Sequence, residues 1–147
     1  MLTHHNGDDD ALRSWPGAPD DADPCPDGHE IVLLEDSVML RAAMAMALRN
    51  DGFVVHAAGA APHAMALLRT NISIVAVIME IDLGAGGGES RALLTDFKSA
   101  WPRLAVIVLT GRPDLLLGHI AGPREAHLLK PCPMKRVIAT VRGLIAT

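Results

Sequence analysis

The run Ile74 to Met79 is apolar at every position and rich in β-branched residues, and Glu80 follows it directly. A strand with no polar face must be covered on both sides, the situation of a parallel sheet flanked by helices. In open sheets of that kind ligands bind in the crevice beyond the carboxyl ends of the strands, so an acid at this point is placed for chemistry. The bland alternative is a surface glutamate that merely ends a strand.

Other segments fall into the same scheme. Ile31–Leu34 reads as a first buried strand, followed at once by Glu35 and Asp36. From Ser37 to Asp51, Leu40, Met44, Ala47 and Leu48 recur at helical spacing, and Gly52 supplies a left-handed stop. Phe53–Ala57 is the second strand. Pro62 suits the first turn of a helix that turns Met65, Leu67 and Leu68 inward and ends at Asn71. After the Ile74 strand, Glu89–Ala100 forms a helix on Leu93, Leu94 and Phe97, and Leu104–Leu109 a fourth strand ending at Thr110. Pro113, Gly118, Gly122 and Pro123 leave room only for a short helix over Asp114–Ile120. Ala126–Leu129 is a fifth strand running into Lys130 and Pro131, and Lys135–Ile145 closes the series with Val137, Ile138, Val141, Leu144 and Ile145 inward. Five strands alternating with five helical segments call for a parallel sheet wound by right-handed crossovers.

With 147 residues, half of them apolar, the chain buries one sizeable core and is read as one domain, residues 29–147, behind a tail. The tail, residues 1–28, is dense in Asp, Pro and Gly and is expected to be disordered; Trp15 within it is a candidate partner-binding motif. A net charge of -4 provides neither the basic field of a nucleic-acid binder nor a polybasic patch for anionic lipid. No apolar run reaches the length that spans a bilayer, and the polar, acidic start does not resemble a secretory signal, so a cytoplasmic location is expected. Cys25 and Cys132 read as free thiols. His4 and His5, with acids nearby, are at most an adventitious metal site.

Four strands thus run into a polar group: Glu35 with Asp36, Glu80, Thr110 and Lys130. In a parallel sheet these ends share one edge. Three carboxylates there would repel strongly without a cation among them; an all-oxygen set suits Mg²⁺, with Lys130 as a second countercharge.

On these residues the chain, from about His29 to Thr147, resembles the receiver domain of two-component response regulators. The marks are the acid pair Glu35 and Asp36, the third-strand acid position at Glu80, Thr110 followed by a small residue, and the Lys130–Pro131 pair; the intervals from Asp36 to Glu80 and from Glu80 to Thr110 also resemble the family's. The resemblance implies a flavodoxin-like doubly wound five-stranded parallel sheet in the order 2-1-3-4-5, here with a shortened fourth helix. It implies Mg²⁺ held by the acid pair, the acceptor position and the backbone carbonyl of Asp82, and a phosphoryl group received from a histidine kinase. Thr110 and Lys130 would then engage the phosphate while an aromatic residue of the fifth strand turns inward. Partners would meet the face of the fourth helical segment, fifth strand and last helix.

Three departures matter. The family's phosphoacceptor is an aspartate, whereas Glu80 carries its carboxylate one methylene further out. In-line attack requires about 3 to 3.5 Å, and a misplacement of about 1 Å costs on the order of a hundredfold in rate. Transfer at the usual site is therefore expected to be slow or absent, with Asp82 as the nearby substitute. The longer acid can instead form a standing ion pair with Lys130, a partial imitation of phosphate with one charge and two oxygens. The inward-turning position is His127, which lacks a phenol but can donate a hydrogen bond and would make such a switch sensitive to pH; a half-exposed histidine with no switching role is the other reading. Cys132 stands where an aromatic usually follows the Lys-Pro pair. The loop Gly84–Gly88 lacks the spacing of dinucleotide and triphosphate loops, so its glycines are read as a sharp turn beside the acids.

The expectation is a stand-alone pseudo-receiver acting by contact with a histidine kinase or another signalling protein, without an enzymatic activity of its own. The competing readings are a phosphorylatable receiver using Glu80 or Asp82 and an unrelated small α/β binding protein.

Overall fold

The structure is a computed structural model that describes residues 28–81 and 88–146, with only the backbone of Gly88 and Glu89. The expected tail and most of the glycine loop, including Asp82, lie outside the described residues.

The sheet begins with β1 (Glu30–Leu34), β2 (Val54–Ala58) and β3 (Ile74–Glu80) and is completed by β4 (Ala105–Thr110) and β5 (Glu125–Leu129). Every neighbouring pair is parallel, in the order β2-β1-β3-β4-β5. The parallel sheet expected from the strand and helix alternation is therefore present, in the flavodoxin-like order that the resemblance implied. β3 lies at the centre, and all five strands point their carboxyl ends to one edge.

The helices are α1 (Val38–Asn50), α2 (Ala61–Thr70), α3 (Gly88–Ala100) and α4 (Met134–Ile145). Ser37 caps α1 by accepting a hydrogen bond from the Leu40 amide at 3.3 Å, one of the donors a helix start leaves unpaired. At the other end Gly52 takes a φ of 101°, the left-handed conformation that glycine adopts without a Cβ penalty, and the Phe53 amide returns to the Leu48 carbonyl. α1 buries Met44, Ala45 and Leu48, whereas Leu40, expected inside, is exposed at the rim of the helix.

Strand alternation divides the core in two. Ile31, Leu33, Ala76, Ile78, Ala105, Ile107 and Leu128 face α1 and α4. Val32, Leu34, Val77, Met79, Val106 and Val108 face α2 and α3, where Leu93, Leu94 and Phe97 close the layer as the helical spacing predicted. Burying each such side chain contributes about 1.5 to 3 kcal/mol, so the central strands are the most costly to disturb.

The segment after β4 departs from expectation. Instead of a short helix over Asp114–Ile120, one 3-10 turn, Pro113–Leu116, is formed. Leu117 leaves it with extended backbone and Gly118 follows at a φ of 78°, so the chain turns away before a second helical turn can close. Leu117 and Ile120 are left on the surface.

The α4 end of the sheet is fastened by Arg142. Its guanidinium donates to the Asp51 carboxylate and to the Asp51 carbonyl, and lies 4.9 Å from the centroid of the Phe53 ring. Phe97 makes the sharpest test of the second layer, because its side chain is wholly enclosed. Phe97→Ala is expected to lower unfolding stability by about 3 to 5 kcal/mol in a urea titration.

Candidate functional site

β1 and β3 are neighbours whose last paired residues are Leu34 and Met79, which sets Glu35 beside Glu80 at the carboxyl edge. Both are buried, Glu35 at 3% exposure and Glu80 at 8%. Asp36, the next residue, is exposed, and one carboxylate oxygen from each of the three acids lies within 4.8 Å of the others. Glu35 is fixed twice over: its own carboxylate accepts from the Ser37 amide at 3.2 Å, and its carbonyl accepts from Arg41 at 2.8 Å.

Lys130 enters from the far side of β4. Its amide donates to the Thr110 carbonyl at 2.8 Å, which extends the β4–β5 ladder by one step and carries the side chain back across the edge. Its ammonium donates to Glu80 Oε1 and stands 4.0 Å from Glu35 Oε2. The ion pair expected from the extra methylene of Glu80 is thus formed. One ammonium against three carboxylates leaves an excess of negative charge that a hard divalent cation would offset. Glu35, Asp36 and Glu80 offer only oxygen ligands, the donor set that suits Mg²⁺.

Thr110 is buried at the end of β4, but its hydroxyl accepts from the Arg112 amide at 2.8 Å, and alternation sets it on the sheet face opposite Glu80. It joins the pocket through its backbone. Asp82 lies outside the described residues. His127 is not placed with the acids. It pairs with Val108 in the sheet, a full pleat short of Thr110, and its Nε2 contacts Glu125.

Glu125 is a residue the sequence reading passed over. Its side chain is fully enclosed at the start of β5, where Lys98 of α3 donates to Oε1 at 2.6 Å, and His119 and His127 both bring Nε2 to Oε2. Glu125 and His127 are two residues apart on one strand, so they share a face; that spacing was the available signal. His119 was hidden because the loop that returns it has no periodic pattern. Burial opposes ionisation of Glu125, but the hydrogen bonds from Lys98, His119 and His127 outweigh it and hold the carboxyl down at about 2.

The fold is that of response-regulator receiver domains. A response regulator receiver domain protein from Clostridium thermocellum is 22% identical, with a TM-score of 0.68 over 80% of this chain and 94% of that one. A response regulator from Thermotoga maritima is 24% identical, with a TM-score of 0.65 over 80% of this chain and 98% of its own. A response regulator receiver protein from Sinorhizobium medicae is 20% identical, with a TM-score of 0.68 over 83% and 98% respectively. At these identities the likeness is one of fold. No family model and no curated protein matches the sequence.

Two expectations follow from the charges. Lys130→Met leaves Glu80 and Glu35 without their ammonium and should cost about 2 to 4 kcal/mol in the absence of divalent ions. Combined with Glu80→Gln it should cost less than the sum of the single changes, with a coupling energy above about 1 kcal/mol in a double-mutant cycle. Because the folded-state value of Glu125 lies below its ordinary 4.5, its contribution is complete above that pH and disappears as pH falls toward about 2. Urea titrations should therefore show a stability advantage of Glu125 over Glu125→Gln at about pH 6, on the order of 3 kcal/mol, that shrinks steadily on acidification.

Proposed function

We propose that this chain is a signalling receiver of the two-component type whose state is set without phosphoryl transfer, and which acts by binding a histidine kinase or another signalling protein. The observation that carries the reading is the contact between Glu80 and Lys130 at the end of the central strand. Where the resemblance calls for an aspartate that would take a phosphoryl group and thereby attract the lysine, a longer acid already holds that lysine. The negative charge and the ammonium are joined in the resting chain, so the signal carried elsewhere by phosphate is built in, at reduced charge.

Reactivity argues the same way. Glu80 is both too long for the usual in-line geometry and engaged by Lys130, which lowers the availability of Oε1 as a nucleophile. Glu35, Asp36 and Glu80 would be the side chains that hold Mg²⁺, which when bound would neutralise the cluster. His127 is committed to Glu125, so an inward rotation toward Thr110 would first have to break that contact. Readout by protein contact is supported by the surface beside β5, where Leu117, Ile120 and Leu129 are exposed apolar groups on or next to the edge strand.

Incubation with a small-molecule phosphodonor and Mg²⁺, followed by intact-mass analysis, separates this reading from that of a phosphorylatable receiver. The native chain should remain unmodified, and Glu80→Asp should gain labelling that Lys130 no longer blocks. A stable adduct on Glu80 or Asp82 of the native chain would overturn the proposal.

A further inference from the structure

At the opposite end of β5 from the acid pocket, two imidazoles and a carboxylate converge on one point. His119 Nε2 is 2.5 Å from Glu125 Oε2, and His127 Nε2 reaches the same oxygen from the strand. The two rings have centroids 5.4 Å apart and are inclined by 35°, so they flank that oxygen instead of stacking. The three candidate ligand atoms all lie within 4.8 Å of one another. The histidine side chains are 19% and 23% exposed and Glu125 is fully enclosed, so the imidazole side of the cluster is partly open.

We propose that His119, Glu125 and His127 form a binding site for a divalent transition-metal ion of the zinc class. Two nitrogens and one carboxylate oxygen are a borderline donor set, suited to Zn²⁺, Co²⁺ or Ni²⁺ and unsuited to Mg²⁺. Each neutral imidazole can place its proton on Nδ1 and present the Nε2 lone pair. A tetrahedral zinc centre, with bonds of about 2.0 to 2.1 Å, sets its ligand atoms about 3.3 Å apart. The imidazoles therefore need to withdraw from Oε2 by roughly 1 Å, toward the side that is open. His119 sits on a loop that follows Gly118, at a φ of 78°, and has the freedom to do so.

The surroundings fit that role. Lys98 engages the other oxygen, Oε1, and so orients the carboxylate while leaving Oε2 to the ion, as outer-shell partners of metal ligands do. Its positive charge offsets that of Glu125 and makes the site weaker than one whose carboxylate is free of a cation. The fourth coordination position would face solvent. Because the ligands come from β5 and from the loop before it, an ion there would clamp the irregular β4–β5 connection onto the edge strand. None of this rests on the receiver reading, since no residue of the acid pocket takes part.

The test uses the full chain, stripped with a chelator and titrated with Zn²⁺ and with Co²⁺ in the presence of excess Mg²⁺. One equivalent should bind, with cobalt absorption of a tetrahedral nitrogen and oxygen site. His119→Ala and His127→Ala should each weaken binding by about tenfold or more while urea midpoints show both variants folded. His4→Ala combined with His5→Ala should leave the affinity unchanged. In the unaltered chain, the Nε2 resonances of His119 and His127 should shift on adding Zn²⁺ and those of His29, His56 and His63 should not, a readout that needs no variant to fold. Absence of zinc binding, binding that survives both single histidine variants, or binding that disappears with His4 and His5 overturns the proposal.

Discussion

A parallel sheet carries every strand end of one sense to the same edge, and in this chain that edge receives three carboxylates and one ammonium. The pairing of Lys130 with Glu80, with Glu35 also within 4.0 Å, is what makes the concentration of acids tolerable. Two of the acids are buried, where an uncompensated charge costs several kcal/mol, so stability alone dictates a cation at the position of Lys130. Its backbone is held in register by Thr110 and its stem rises from the sheet face that Leu128 shares with α4. The electrostatic balance of the pocket is therefore tied to the packing of the edge strand.

The parts of this arrangement that were legible in the sequence are those governed by period and length. Continuous apolar runs such as Ile74–Met79 and Leu104–Leu109 announced central strands, and the three- and four-residue spacing of Leu93, Leu94 and Phe97 announced a buried helix face. The acid cluster was legible because strand ends need only be counted, not positioned. What period cannot supply is the direction of a side chain at a rim: Leu40 satisfied the helical spacing and is nonetheless exposed, since α1 begins beyond the edge of the sheet. Direction also matters at Thr110, whose hydroxyl accepts from the Arg112 amide at the end of β4.

The segment between β4 and β5 shows how a local failure of helix formation changes a neighbouring site. Pro113 starts a turn and Gly118 ends it, so only four residues are helical where a longer element was expected. In its place the chain loops back and puts His119 against Glu125, while Lys98 arrives from α3. The result is an enclosed carboxylate with three basic neighbours, His127 among them.

The contacts of His127 with Glu125 and of Lys130 with Glu80 have the same physical form: a buried glutamate holds a partly exposed basic residue at one end of β5. Loss of Lys130 would leave Glu80 without its ammonium, whereas on loss of His127 Glu125 would keep Lys98 and His119. Displacing Lys130 therefore demands a new partner for Glu80, while displacing His127 does not demand one for Glu125. The ends of β5 lie about 13 Å apart, too far for one incoming group to contact both carboxylates. The edge strand is thus held at each end by its own carboxylate.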